Sequence, residues 1–79
     1  MRKLNTLEIR AIWDDDAEVW VATCEDLPGL VVEADTQNDL ENELKVIVPE
    51  LLILNKMGYE GQEIPIHLLQ ERNFEACIA

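Results

Sequence analysis

Leu40, Leu44, Ile47, Val48, Leu51 and Leu52 recur at i, i+4, i+7, i+8, i+11 and i+12. That spacing lays them along one face of an α-helix. The chain before them keeps a different period. From Thr6 to Trp13 it alternates, with Leu7, Ile9, Ala11 and Trp13 set against Glu8, Arg10 and Ile12. Such alternation belongs to a strand with two unlike faces. One change of period along so short a chain points to a single helix packed on a small sheet.

The ends of the helix are also written in the residues. Thr36 with Asp39 three positions later resembles a capping box, Asp standing where Glu is stronger. Asp39, Glu41 and Glu43 near the start and Lys56 near the end suit the helix dipole. Gly58 is placed to terminate it. Pro49 lies inside the pattern, lacks an N–H and crowds the carbonyl of Lys45. A kink near Lys45, or a break into two pieces, follows; the stripe stays in phase through Leu52 and favours the kink. Ile53 and Leu54 widen the apolar face, so the last turns are expected to pack on more than one surface.

Three further segments read as strands. Val19 to Cys24 is rich in β-formers and follows a turn at Asp14-Asp15-Asp16, where Asp bonds its own backbone. The first two strands make a hairpin. Glu25 to Gly29 (EDLPG) connects tightly to Leu30–Ala34, and the three strands form an antiparallel meander. Ile64 to Leu69 supplies a fourth strand, with Pro65 marking an edge position or the strand's first residues. The order is β-β-β-α-β in one α+β domain spanning 1–79.

One helix covers one face of that sheet. With an even-numbered hairpin turn, Leu7, Ile9 and Ala11 share a face with Trp20, Ala22 and Cys24, and Ile12, Val19 and Val21 lie opposite. An odd turn or a bulge swaps the second strand. Either way an apolar patch stays uncovered, as at many interfaces. Ile12, Val19 and Val21, with Phe74 and Ile78 of the apolar tail, are the candidate self-association residues. A chain this small commonly gains stability by oligomerising.

Charge narrows the function. Between Ala11 and Leu44 stand eleven acids and no Lys or Arg, while the six acids and six bases elsewhere cancel. The net charge of −11 thus belongs to one stretch of chain. Phosphate backbones are repelled, so direct nucleic-acid binding is not expected. A basic protein is attracted and steered.

Catalytic and metal readings find little support. Asp14-Asp15-Asp16 lacks the spaced ligands and fixed turn of a calcium loop. His67 is the single histidine and has no evident triad partner. Trp13 and Trp20 lie in a region almost without the Lys and Arg that accompany base-stacking aromatics. Cys24 and Cys77 show no CxxC spacing and are expected to be reduced thiols in the cytoplasm. No apolar run approaches the ~20 residues of a membrane span, and MRKLNTLEIR has no secretory h-region. No cofactor, catalytic residue or metal ligand is expected, and the chain is read as a non-enzyme.

Trp20-Val21-Ala22, then Asp26-Leu27-Pro28-Gly29-Leu30, then Glu33-Ala34-Asp35-Thr36 and an amphipathic helix, resemble the HicB-like family. The run Val48-Pro49-Glu50-Leu51-Leu52 with Trp13-Asp14 is similar to a small HicB-related subfamily. The resemblance covers roughly Leu7 to Ile66. It implies a partial RNase H-like β-β-β-α-β fold. It also implies an antitoxin that occludes a small basic mRNA-cleaving toxin of the HicA type. The partner-binding residues expected on charge are Asp14, Asp15, Asp16, Glu18, Glu25 and Asp26. Family members often carry a C-terminal DNA-binding domain, for which 79 residues leave no room, so autorepression by this chain alone is not expected. The alternatives are a homo-oligomeric regulatory module without a toxin and, more remotely, a metal-dependent hydrolase.

Overall fold

Alternation along the first two strands decides which side chains are buried. A computed structural model describes residues 6–56 and 63–78. Its elements are β1 (Leu7–Asp14), β2 (Val19–Thr23), β3 (Val31–Ala34), α1 (Gln37–Leu54) and β4 (Ile66–Glu71). They form a four-stranded mixed sheet ordered β3-β2-β1-β4, with one helix. β1–β2 and β2–β3 are antiparallel; β4 joins β1 in parallel and is an edge.

The hairpin turn is even: Asp15, Asp16, Ala17 and Glu18 separate paired Asp14 and Val19. Ala11 therefore pairs with Ala22, Ile12 with Val21, and Trp13 with Trp20. Leu7, Ile9, Ala11, Ala22, Val32 and Ala34 are buried beneath the helix, which contributes Leu40, Leu44, Val48 and Leu52. Ile47, Leu51, Ile66 and Leu68 pack at the margin.

Thr36 caps α1, its Oγ1 accepting from the Asp39 N–H at 3.1 Å. The helix runs unbroken through Pro49. Pro49 and Lys45 are both exposed, so the carbonyl that Pro49 deprives of its donor faces the watery side. Ile53 and Leu54 do not pack as expected; they are 71% and 75% exposed. The buried row steps from Val48 to Leu52, and the next two residues rotate away from it. The helix stops before Gly58, which lies outside the described residues: Asn55 is the C-cap, and Lys56 takes a left-handed φ of 55°.

The connection between β2 and β3 is part of the core. Leu27 and Leu30 are buried, and the Leu30 N–H donates to the Leu27 carbonyl at 3.3 Å. Pro28 and Gly29 occupy the two central positions, Gly29 at φ 89°. This is the pattern of a type II turn, where Pro suits the first central position and Gly the second. The Asn55 side-chain amide donates to the Leu51 carbonyl at 2.8 Å and to that of Pro28 at 3.4 Å, tying the helix end to the turn.

Candidate protein interface

The acidic hairpin turn is built by Asp14. Its Oδ1 accepts from the N–H of Asp16 at 3.0 Å and of Ala17 at 3.2 Å, and its carbonyl accepts from the Glu18 N–H at 2.7 Å. A carboxylate bonded to the backbone two residues on is the standard way Asp forms a turn. Glu18 closes it with a left-handed φ of 56°, which costs a residue with a Cβ roughly 1 kcal/mol. Asp14 thus positions the turn, while Asp15, Asp16 and Glu18 are exposed beyond the sheet.

Register shows which other charges share that end. Trp20 pairs with Ala34, so Asp35 and the helix start at Thr36 follow β3 out of the sheet at the hairpin end. Asp39 lies in the first turn of α1. β4 runs parallel to β1, with Glu71 opposite Ile12, so the strand's last residues arrive there too. Asp35 and Asp39 therefore join Asp15, Asp16 and Glu18. Glu25 and Asp26 do not: they follow β2 at its far end, roughly 14 Å along the strand. The six acids expected to act together fall at two ends of the sheet, because one antiparallel strand lies between them.

Arg72 brings positive charge to the hairpin end. Its guanidinium lies 4.4 Å from the centroid of the Trp13 ring, which meets Trp20 edge-on at 5.4 Å. Arg10, on the open face, lies 3.6 Å from Glu8 and 4.0 Å from Glu71. Both ion pairs are exposed, and such pairs contribute little.

The open face carries Ile12, Val19, Val21, Leu69 and Val31. Ile12 is 59% exposed, while Val19, Val21 and Leu69 are half-buried. A shallow depression joins Ile12 and Val21 to Trp13 and the turn acids. Phe74 and Ile78, in the irregular tail beyond β4, are 81% and 100% exposed. On the helical side a groove runs between α1 and β4, lined by Leu44, Lys45, Val48, Ile64 and Ile66. Burial pushes the Cys24 thiol up from its ordinary pKa, against backbone hydrogen bonds from Asp26 and Leu27 that lower it. Cys77 is exposed. His67 is an exposed residue of β4 beside Glu8. Among the described residues, no three His, Cys, Asp or Glu side chains group as a metal site requires, and no helix is long and apolar enough to cross a membrane.

A family model described as a domain of unknown function, DUF1902, matches residues 6–77. No curated protein matches the chain. The crystal structure of a hypothetical protein from the extremely thermophilic bacterium Thermus thermophilus is similar, at 40% identity and a TM-score of 0.62. The match covers 92% of this chain and 99% of that one.

Proposed function

We propose that this chain, which belongs to the DUF1902 family, is a non-catalytic, cytoplasmic protein-binding domain of the HicB-like antitoxin kind. Its β-β-β-α-β order with one helix on a mixed sheet supports assigning it the partial RNase H-like fold of those domains. The observation that carries the functional reading is the hairpin end, where Asp15, Asp16, Glu18, Asp35 and Asp39 are all exposed. Opposite charge accelerates encounter and fixes orientation. The cationic surface of an mRNA-cleaving toxin must face phosphate to work, and an acidic protein seated on it excludes the RNA.

The turn is suited to this work because its backbone is set before contact. Asp14 locks it through three hydrogen bonds, and a partner meeting a fixed loop has less ordering entropy to overcome. The test is calorimetric titration of the chain with a purified HicA-type toxin at low and high salt, beside toxin-dependent growth arrest with and without the chain. A complex that weakens with salt, and growth restored by the chain, are the expected results. Absence of both removes the antitoxin reading.

A further inference from the structure

We infer that the free edge of β4 is a self-pairing surface, on which a second copy of this chain adds its own β4 antiparallel about a twofold axis through Leu68. This does not depend on the antitoxin reading. The Leu7 N–H donates to the Pro65 carbonyl at 2.9 Å, and Leu7 pairs with Ile66. In a parallel ladder that fixes the phase: His67, Leu69 and Glu71 turn their backbone groups toward β1. Ile66, Leu68 and Gln70 turn theirs outward, presenting alternate N–H and C=O groups with no strand beside them among the described residues. Such an edge is a template for another chain.

The two edges of the sheet differ in how they are protected. β3 has four residues, includes exposed Glu33 and runs into Asp35. β4 has six residues, and from Ile64 to Gln70 there is no Asp, Glu, Lys or Arg. A chain of net charge −11 repels its own copies over most of its surface. The stretch from Ile64 to Gln70, lying between Glu63 and Glu71, lets two copies approach where no acids oppose each other, and an uncharged stretch offers nothing to a cationic protein. Charge therefore selects the second copy as occupant.

The strand's register is also self-complementary. An axis through Leu68 pairs Leu68 with Leu68, and Ile66 with Gln70 of the second copy in both directions, so that all three outward residues exchange both hydrogen bonds. On the helical side the two Leu68 side chains meet; on the open side His67 faces Leu69 of the second copy. No like charges lie directly opposite, an arrangement that would weaken a strand pair. Arg72 falls opposite Ile64 of the second copy, beside that copy's Glu63. The exposed Phe74 then leaves β4 along the neighbouring molecule instead of into water.

Cross-linking tests the register directly. In a background with Cys24→Ser and Cys77→Ser, Leu68→Cys places two thiols across the axis. A hydrogen-bonded antiparallel pair has Cα atoms about 5.5 Å apart, within the disulfide range. Mild oxidation is expected to yield covalent dimer from Leu68→Cys and little from Val31→Cys on β3. Gln70→Pro removes an outward N–H and spares the β1 ladder. In sedimentation it should raise the dimer dissociation constant by about tenfold or more, from the loss of the two symmetry-related Gln70 N–H hydrogen bonds per dimer. A wild-type chain monomeric at 100 µM (roughly the weak end of specific association) overturns the proposal. So does a dimer that cross-links no faster through Leu68→Cys than through Val31→Cys.

Discussion

The guanidinium of Arg72 lies over Trp13, 4.4 Å from the ring centroid, one residue after β4 ends. It fastens the start of the tail to β1 where the acidic turn begins. Partly solvated contacts of this kind contribute roughly 0.5–1 kcal/mol. Arg72→Ala should lower stability by about that amount in urea denaturation and change the tryptophan emission, because Trp13 loses its cover. Arg72→Lys should recover part of the loss. An unchanged emission spectrum and midpoint in Arg72→Ala would show that the contact does not form in solution.

Leu27 is the connection residue on which the core depends most. It is fully buried although it lies outside any helix or strand. Leu27→Ala should cost about 2–4 kcal/mol, the range for a buried Leu that leaves a cavity. Ile53→Ala, on an exposed helix position, should stay within about 0.5 kcal/mol. Equal losses in the two variants would contradict the burial of Leu27.

Glu18 combines a charge with a backbone conformation that suits glycine. Its φ of 56° carries a Cβ penalty. Glu18→Gly should stabilise the fold by roughly 0.5–1 kcal/mol, although glycine adds entropy to the unfolded chain. It also removes one acid from the proposed contact. A variant with a higher melting temperature and weaker toxin binding would show that the residue serves the partner at the fold's expense. A lower melting temperature would refute the strain assignment.

The two thiols should separate by rate. Burial raises the Cys24 pKa, so at mildly alkaline pH less of it is thiolate, and its access is restricted. Thiolate is the reacting form. Iodoacetamide at mildly alkaline pH should label exposed Cys77 at least several times faster than Cys24, read by peptide mass spectrometry, with the gap closing in denaturant. Equal rates in the native state would mean that Cys24 is not shielded.

Local period and turn chemistry made much of this fold legible. The stripe at Leu40, Leu44, Val48 and Leu52 is buried because a helix sums the same positions that the sequence repeats. An even turn set the faces of β1 and β2, so Ile12 and Val21 fall on the open side. What stayed hidden depended on position in space. Nothing in residues 64–69 says that their strand lies parallel to β1, or that it runs from Ile66 to Glu71. Runs of charge along the chain likewise do not show which acids meet. Glu25 and Asp26 are near Glu18 in sequence yet lie across β2 from it, while Asp35 and Asp39 reach the hairpin end of the sheet only because β3 and α1 return there.

That rearrangement gives the sharpest test of the proposed interface. If a cationic partner sits at the hairpin end, Asp15→Asn with Asp16→Asn and Asp39→Asn should weaken toxin binding tenfold or more, taking about 0.5 kcal/mol for each exposed pair as the lower bound. The salt dependence should flatten as well, since fewer charges are engaged. Asp14 is left intact because its Oδ1 holds the turn. Glu25→Gln with Asp26→Asn, at the far end of β2, should leave the affinity within about twofold, less than the smallest exposed pair contributes. A larger loss from the second pair than from the first set would move the contact to the Leu27 end, and the hairpin assignment would fall.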